Sequence, residues 1–194
     1  MLDARHFDRS DTLIVEEMGL WSGSARVDLA VINGELCGLE LKSERDTLDR
    51  LPRQAEIYSL VFDRVELIVG RRHLAKALPI IPKWWGVMVA VGESDEISLV
   101  PERETSSNPS PDPYMVARLL WKDEALGILS SRGLATGWRS KPVKAIHRRL
   151  ATQLPFDELG TCVRGALKSR EGWLRKVRAG YLDVSIDPDP NPIL

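Results

Sequence analysis

The sequence predicts a mixed α/β fold: a central sheet flanked by helices, continued by a helical extension on its C-terminal side. Three observations lead there. Short runs rich in β-branched and apolar residues recur through roughly the first hundred positions, as strands require. One of them, RVELIVG at 64–70, follows a helical pattern that itself follows a strand, and such a β-α-β step implies a parallel, right-handed crossover. Beyond a Pro/Ser/Asp segment at 105–113 the periodicity becomes helical and the charge turns basic.

The elements follow in order. Residues 1–10 are polar and irregular. Thr12–Leu20 (TLIVEEMGL) reads as a strand closed by the turn-prone Trp-Ser-Gly-Ser, Arg26–Ile32 as a second, and Glu35–Leu41 as a third after Asn33-Gly34. Thr47–Phe62 carries Leu48, Leu51, Ala55 and Tyr58 at helical spacing. Pro52 lacks an N–H, so the regular helix is expected to begin near Leu51 with the proline in its first turn. Arg64–Gly70 is a strand, His73–Ile81 a short helix ended by Pro82, and Trp84–Val91 a buried strand with Glu96–Val100 as its hairpin partner. Met115–Leu129, Val143–Leu154 and Phe156–Lys168 are helical patterns. The expected organisation is a core over 1–104, a linker over 105–113, a basic helical extension over 114–182 and a tail over 183–194.

Register in the second hairpin follows from parity. Val27, Leu29 and Val31 alternate onto one face, as do Cys37, Leu39 and Leu41, and all six numbers are odd. A two-residue Asn33-Gly34 turn would pair odd with even and put the two apolar sets on opposite sides of the sheet. A three-residue loop or a bulge near Gly34 is therefore predicted. It also brings Asp28 onto the face of Glu40 and Lys42.

Composition narrows the function. No apolar run approaches the roughly 20 residues that cross a bilayer, and the charged MLDARHFDRSD start lacks a signal core. Two cysteines, Cys37 and Cys162, fit a reducing cytoplasm, with Cys37 a buried thiol in a strand. Residues 1–113 hold 13 Lys/Arg against 20 Asp/Glu, and residues 114–194 hold 14 against 8. An acidic half able to hold a cation thus adjoins a basic half able to hold phosphate. Zinc clusters, phosphate-binding glycine loops and the Gly-x-Ser-x-Gly elbow are missing from the sequence. His73 and His147 stand alone and read as structural, and Trp84-Trp85 as core and surface anchor.

Asp28, Glu40 and Lys42 on adjacent strands suit phosphodiester hydrolysis. That reaction needs charge neutralised at phosphorus and hydroxide made near neutral pH, and a hard cation on carboxylate oxygens does both. Asp28 and Glu40 would be the ligands of Mg²⁺ (or Mn²⁺). Lys42, two residues beyond Glu40, would orient the attacking water and stabilise the phosphorane. A plain ion pair at a sheet edge is the competing reading of Glu40 and Lys42.

The same residues carry a resemblance. Asp28, then Glu40-Leu41-Lys42, then a helix and a strand, resemble the PD-(D/E)XK nuclease superfamily with its restriction-endonuclease-like fold. The phrases ARVDLAVING, LELKSERDTLDRLPRQAEIY, FDRVELIVG and HL…IPKWWGV over Thr12 to about Val91 are similar to an uncharacterised bacterial branch of it. Gln54-x-x-x-Tyr58 resembles the helix motif of RecB-like and phage-type exonucleases, and residues four apart share a helix face. The resemblance implies Mg²⁺-dependent cleavage of DNA. The superfamily's usual extra acid from a preceding helix has no such helix here, and Glu16 or Glu17 is expected to stand in for it. Alternation lets only one of them face Asp28.

Nucleic acid, with DNA first, is the expected partner, beside a second copy of the chain or a protein of DNA defence or repair. Arg26, Arg45, Arg50 and Arg53 would track the phosphate backbone near the site, unless Arg45 and Arg50 pair with Glu44, Asp46 or Asp49. Arg132, Arg139, Lys141, Lys144, Arg148 and Arg149 straddle a turn between two helices, as a helix-turn-helix grip or a plain bundle would arrange them. The competing functions are a nuclease-derived module that binds without cutting and a structural subunit that docks its basic half on an acidic protein.

Overall fold

The structure is a computed structural model that describes residues 11–21, 23, 25–92 and 97–170, and the backbone of 175–177. The predicted N-terminal segment before residue 11 and the tail from 183 lie outside the described residues. A mixed sheet of six longer strands and one three-residue strand forms the centre: β1 (Leu13–Leu20), β2 (Ala25–Ile32), β3 (Leu36–Lys42), β4 (Arg64–Gly70), β5 (Gly86–Val91), β6 (Ser98–Arg103) and β7 (Arg175–Val177). Their order is β6-β5-β4-β3-β2-β1-β7, with β3–β4 and β4–β5 parallel and the other pairs antiparallel. The β-α-β step is as expected: α1 (Leu51–Ser59) joins β3 to β4, with its proline at the first helical turn. α2 (Arg71–Ala77) then joins β4 to β5.

The remaining helices are α3 (Pro113–Ala117), α4 (Lys122–Ser130), α5 (Val143–Gln153) and α6 (Phe156–Ser169). The pattern over 115–129 is thus split in two. Trp121 has extended backbone, and its N–H donates to the Glu124 carboxylate at 2.7 Å, which starts a new helix. Among the described residues no helix is long and apolar enough to cross a membrane.

The β2–β3 loop holds three residues, Asn33-Gly34-Glu35, because Ile32 pairs with Leu36 and Val31 with Cys37. Parity then places Ala30, Ile32 and Leu36 on the face that packs against the helices. Val31, Cys37 and Leu39 form a smaller cluster with Ile14 on the other face. One expectation fails: Val27 does not share a face with Leu29 and Val31 but joins the helix-side core. Both strands reverse their alternation at one point. Val15 and then Met18 face the helices on β1, and Ala30 and then Val27 on β2. The ladder runs Glu16↔Leu29 and resumes at Met18↔Val27, skipping Glu17 and Asp28. Glu17 has φ +55, a left-handed conformation that turns the strand over.

The expected linker is a strap tied to the core. The Asn108 side-chain amide donates to the carbonyls of Ser59 and Phe62 at 2.8 Å each, and its backbone N–H donates to the Asp63 carbonyl. Asp112 then caps α3 by accepting from the N–H groups of Tyr114 and Met115. A single apolar cluster runs from Val15 and Tyr58 in the sheet half to Leu129, Ile146 and Val163 in the helical half. The division at 105–113 is therefore no break in the core.

Candidate active site

Glu40 and Lys42 share the helix-side face of β3 with Leu36, and α1 covers them. Glu40 is 1% exposed and Lys42 4%. Their side chains form an ion pair, and Glu40 collects two further donors from one face of α1. Gln54 Nε2 donates to Glu40 Oε1 at 2.6 Å, and the Tyr58 hydroxyl lies 2.7 Å from Glu40 Oε2. The four-residue spacing of Gln54 and Tyr58 is what lets one helix reach both oxygens. Trp85 fixes the Tyr58 ring from behind, stacked at 5.9 Å between centroids.

Asp28 comes next in the β2–β3 register, opposite Glu40, where the regular ladder stops at Leu29↔Leu39. Its Oδ2 accepts the Leu41 N–H at 2.8 Å, so the side chain replaces a backbone bond between the separating strands. Asp28 is half-buried, and its charge reaches Glu40. The three charged groups anticipated from the strand pattern are therefore brought together, on one side of the sheet.

Electrostatics divides them. Burial pushes the Glu40 carboxyl above the usual range, helped by Asp28 and opposed by Lys42 and the Tyr58 hydroxyl. Burial and the Glu40 charge push Tyr58 up as well, so the phenol stays protonated and donates. The Tyr58 hydroxyl also lies 2.7 Å from the Arg26 carbonyl, and one phenolic proton serves only one of the two acceptors. A proton on Glu40 would satisfy both, which is the direction in which burial moves it. Gln54 Oε1 is buried with no hydrogen-bond partner.

Asp28 and Glu40 are the residues that could hold a hard cation. Mg²⁺ is commonly held by one or two carboxylates with water completing its shell. Asp28 and Glu40 supply two adjacent carboxylates, and the buried Gln54 Oε1 is an acceptor still to be satisfied. The expected third acid does not join them: among the described residues no group of three His, Cys, Asp or Glu could hold a metal ion. Glu17, turned over by its positive φ, pairs with Arg26 at 2.8 Å in the open. Glu16 falls between Val15 and the turned-over residue, on the face away from the helices.

The basic residues sort by their partners. Arg26 and Arg53 are in exposed ion pairs with Glu17 and Glu56. Among the described residues Arg45 and Arg50 form no ion pair with the neighbouring acids, although the Arg50 charge is felt by Asp46: Glu44 meets Arg72, Asp46 accepts from Ser43, and Asp49 accepts from Thr47. Bonds from Ser43 hold the Asp46 carboxyl below its ordinary range. Both arginines are exposed at the β3–α1 connection. In the helical half, Arg132 pairs with Glu158 at 2.6 Å and Arg149 donates to the Leu134 carbonyl, so both hold the bundle together. Arg139, Lys141 and Lys144 are exposed, and Arg139 lines a surface cleft of about 380 Å³ with Ser130 and Ser140. The helix-turn-helix reading is not met: 131–142 separate α4 from α5, where that motif uses a turn of about 3–4 residues. His147 is structural, 3.0 Å from the Leu120 carbonyl. The reversal at Glu17 and the buried Gln54 oxygen had no signal in the sequence.

Comparison with known proteins places the chain. Protein cII of Enterobacteria phage P4 is 24% identical over 165 residues, 83% of this chain and 60% of its own length. This chain thus spans about 60% of that relative. A solved protein of unknown function from Silicibacter pomeroyi is 21% identical with a TM-score of 0.39, over 69% of this chain and 88% of its own. The sequence profile of bacteriophage P4 protein cII matches residues 1–176, nine-tenths of the chain. The chain belongs to the bacteriophage P4 protein cII family.

Proposed function

We propose that the protein is a divalent-metal-dependent nuclease acting on DNA, built on a restriction-endonuclease-like core of the PD-(D/E)XK type. The observation that carries this reading is the convergence of Asp28, Glu40 and Lys42 where β2 and β3 part, with Gln54 and Tyr58 of α1 closing on Glu40. Asp28 and Glu40 would hold Mg²⁺ or Mn²⁺, which when bound supplies positive charge at the phosphate and lowers the pKa of water. Lys42 would hold the attacking water and the charge that develops on phosphorus. Gln54 and Tyr58 are positioning residues that fix the Glu40 carboxylate by its two oxygens. Arg45 and Arg50, exposed at the β3–α1 connection, would engage the flanking phosphates.

A second reading has one observation in its favour. Glu40 is already engaged by Lys42, Gln54 and Tyr58, and no third acid among the described residues assists. A fold saturated in this way could bind nucleic acid without cutting it. The test is incubation of supercoiled, linear and single-stranded DNA, and RNA, with Mg²⁺ or Mn²⁺. Cleavage that Asp28→Asn and Lys42→Ala abolish supports the nuclease. Variants that cut as fast as the parent show the site is elsewhere, and binding with a steep salt dependence but no cleavage selects the second reading.

A further inference from the structure

We infer that an alternating ladder of aromatic rings and guanidinium groups, Trp21, Arg118, Tyr114 and Arg148, is a binding surface for an unpaired nucleic-acid strand leading away from Asp28. The Arg118 guanidinium carbon lies 5.2 Å from the Trp21 ring centroid and 5.9 Å from that of Tyr114, and the Arg148 guanidinium carbon lies 5.5 Å from the same Tyr114 ring. Three of the four are half-buried and Arg148 is exposed. The order of rungs joins the end of β1 to α3 and α5, three elements distant in sequence.

Its starting point lies beside the site. Trp21 follows Leu20, which pairs with Ala25. Ala25 is three strand residues from Asp28, about 10 Å at ~3.3 Å per residue. Between them Arg26 gives its carbonyl to Tyr58. Trp21 is fixed there in a conformation that bulky residues rarely adopt, with φ +47, and its Nε1–H donates to the Met115 carbonyl at 3.0 Å. Only Glu17 shares positive φ among the described non-glycine residues, and it faces Asp28 across the interrupted ladder. Backbone strain of this kind persists where the surroundings impose it, and it concentrates at functional sites.

Among the described residues no carboxylate pairs with the arginines of the ladder, and the other arginine–aromatic contacts are more fully engaged. Arg170 over Trp121 is also paired with Glu124, and Arg149 over Trp138 gives its Nε–H to a carbonyl. Arg118 has only the Met115 sulfur at 3.3 Å, and neither Arg148 nor Lys144 meets a carboxylate among the described residues. Asp112, two residues before Tyr114, spends its carboxylate on the Tyr114 and Met115 N–H groups. A ligand for this surface must alternate negative charge with flat apolar plates. An unpaired strand does so, because its phosphates meet guanidinium groups while its bases stack on rings and on guanidinium planes. A duplex keeps its base faces covered, and an acidic peptide offers charge without plates.

The inference rests on the nucleic-acid reading above, and the test separates them. The full chain is titrated in EDTA, by fluorescence anisotropy, against labelled oligothymidylate, oligouridylate and a duplex, each of about 20 units, a length that exceeds one typical single-strand site. Tighter binding of the single strands than of the duplex is expected, with the two sugars alike because stacking ignores them. Tyr114→Leu and Arg148→Gln should each weaken single-strand binding about tenfold, roughly one lost base stack, and change duplex binding less than about twofold. Arg148 is exposed, so its variant keeps the test open should Tyr114→Leu unfold, which thermal melting checks. Unchanged single-strand affinity, an equal loss on duplex, or displacement by polyglutamate as readily as by oligothymidylate would overturn the ladder. Cleavage on adding Mg²⁺ alongside unchanged binding in the variants refutes the ladder and leaves the nuclease standing. Loss of strand binding in the variants, with no cleavage by the parent in any metal, keeps the ladder and removes the catalytic reading.

Discussion

Replacing Lys42 by methionine separates a buried functional pair from a decorative one. The ammonium sits 4% exposed against a carboxylate that is 1% exposed. Removing one member of such a pair strands the other charge out of water and costs about 3–5 kcal/mol, whereas an exposed pair contributes about 0–1 kcal/mol. Urea unfolding slopes for small proteins are about 1–3 kcal/mol/M, so Lys42→Met should lower the midpoint by about 2 M at pH 8. The sign of the pH dependence is fixed. Glu40 in the folded chain already has a pKa above its ordinary 4.5, so it favours the fold below that value and loses this contribution as pH rises through the folded pKa. Without Lys42 the folded pKa climbs further, and the variant's deficit shrinks as pH falls toward 5 and Glu40 takes up its proton. Adding Glu40→Gln, which removes the stranded charge but keeps an acceptor for Tyr58, should recover most of the loss. A deficit below about 1 kcal/mol that is equal at both pH values would show that the pair is solvated, and the reasoning for a buried site would fail.

Two further outcomes concern the scaffold. His147 is held below its ordinary pKa by burial, against the Leu120 carbonyl and with Arg118 adding to the shift. Its contribution is complete above about pH 6.5 and is lost as pH falls toward the folded pKa, so His147→Gln should flatten the drop in urea midpoint between pH 7.5 and 5.5; a steeper drop would contradict this. Gly38 lies between Ala30 and Val65 in the sheet, and a Cβ there would stand 3.1 Å from the Phe62 ring. Gly38→Ala should cost about 1–3 kcal/mol, read as a lower melting temperature, and Phe62→Leu in the same chain should restore part of it.

Much of the fold could be read from local pattern, and the failures have physical causes. The odd numbering of Val31, Cys37 and Leu39 was enough to require a three-residue loop, because a slip of one residue exchanges the faces of a strand. The spacing of Gln54 and Tyr58 put both on one face of α1, where they meet Glu40. Val27 was misplaced because alternation assumes a continuous strand, and the φ of Glu17 breaks it without any glycine to announce the break. The segment 105–113 has the composition of a free linker. Its attachment rests on long-range matches that composition does not encode: the Asn108 amide finds two carbonyls at the end of α1, and the N–H groups of Ser106 and Asp112 find the carbonyls of Trp84 and Leu60. Metal ligation by Glu16 or Glu17 required one of them to point inward; the turned-over strand points neither there.

The strap has a consequence for how the chain can be divided. Asn108 binds the carbonyls of Ser59 and Phe62, just where α1 ends, and Arg164 of α6 lies 3.7 Å from the Asp63 carboxylate that in turn accepts the Leu36 N–H. The strap and α6 thus hold the end of α1 and the start of β4 together. Shortened versions ending near residue 104 would retain every catalytic candidate and yet release the hold of Gln54 and Tyr58 on Glu40.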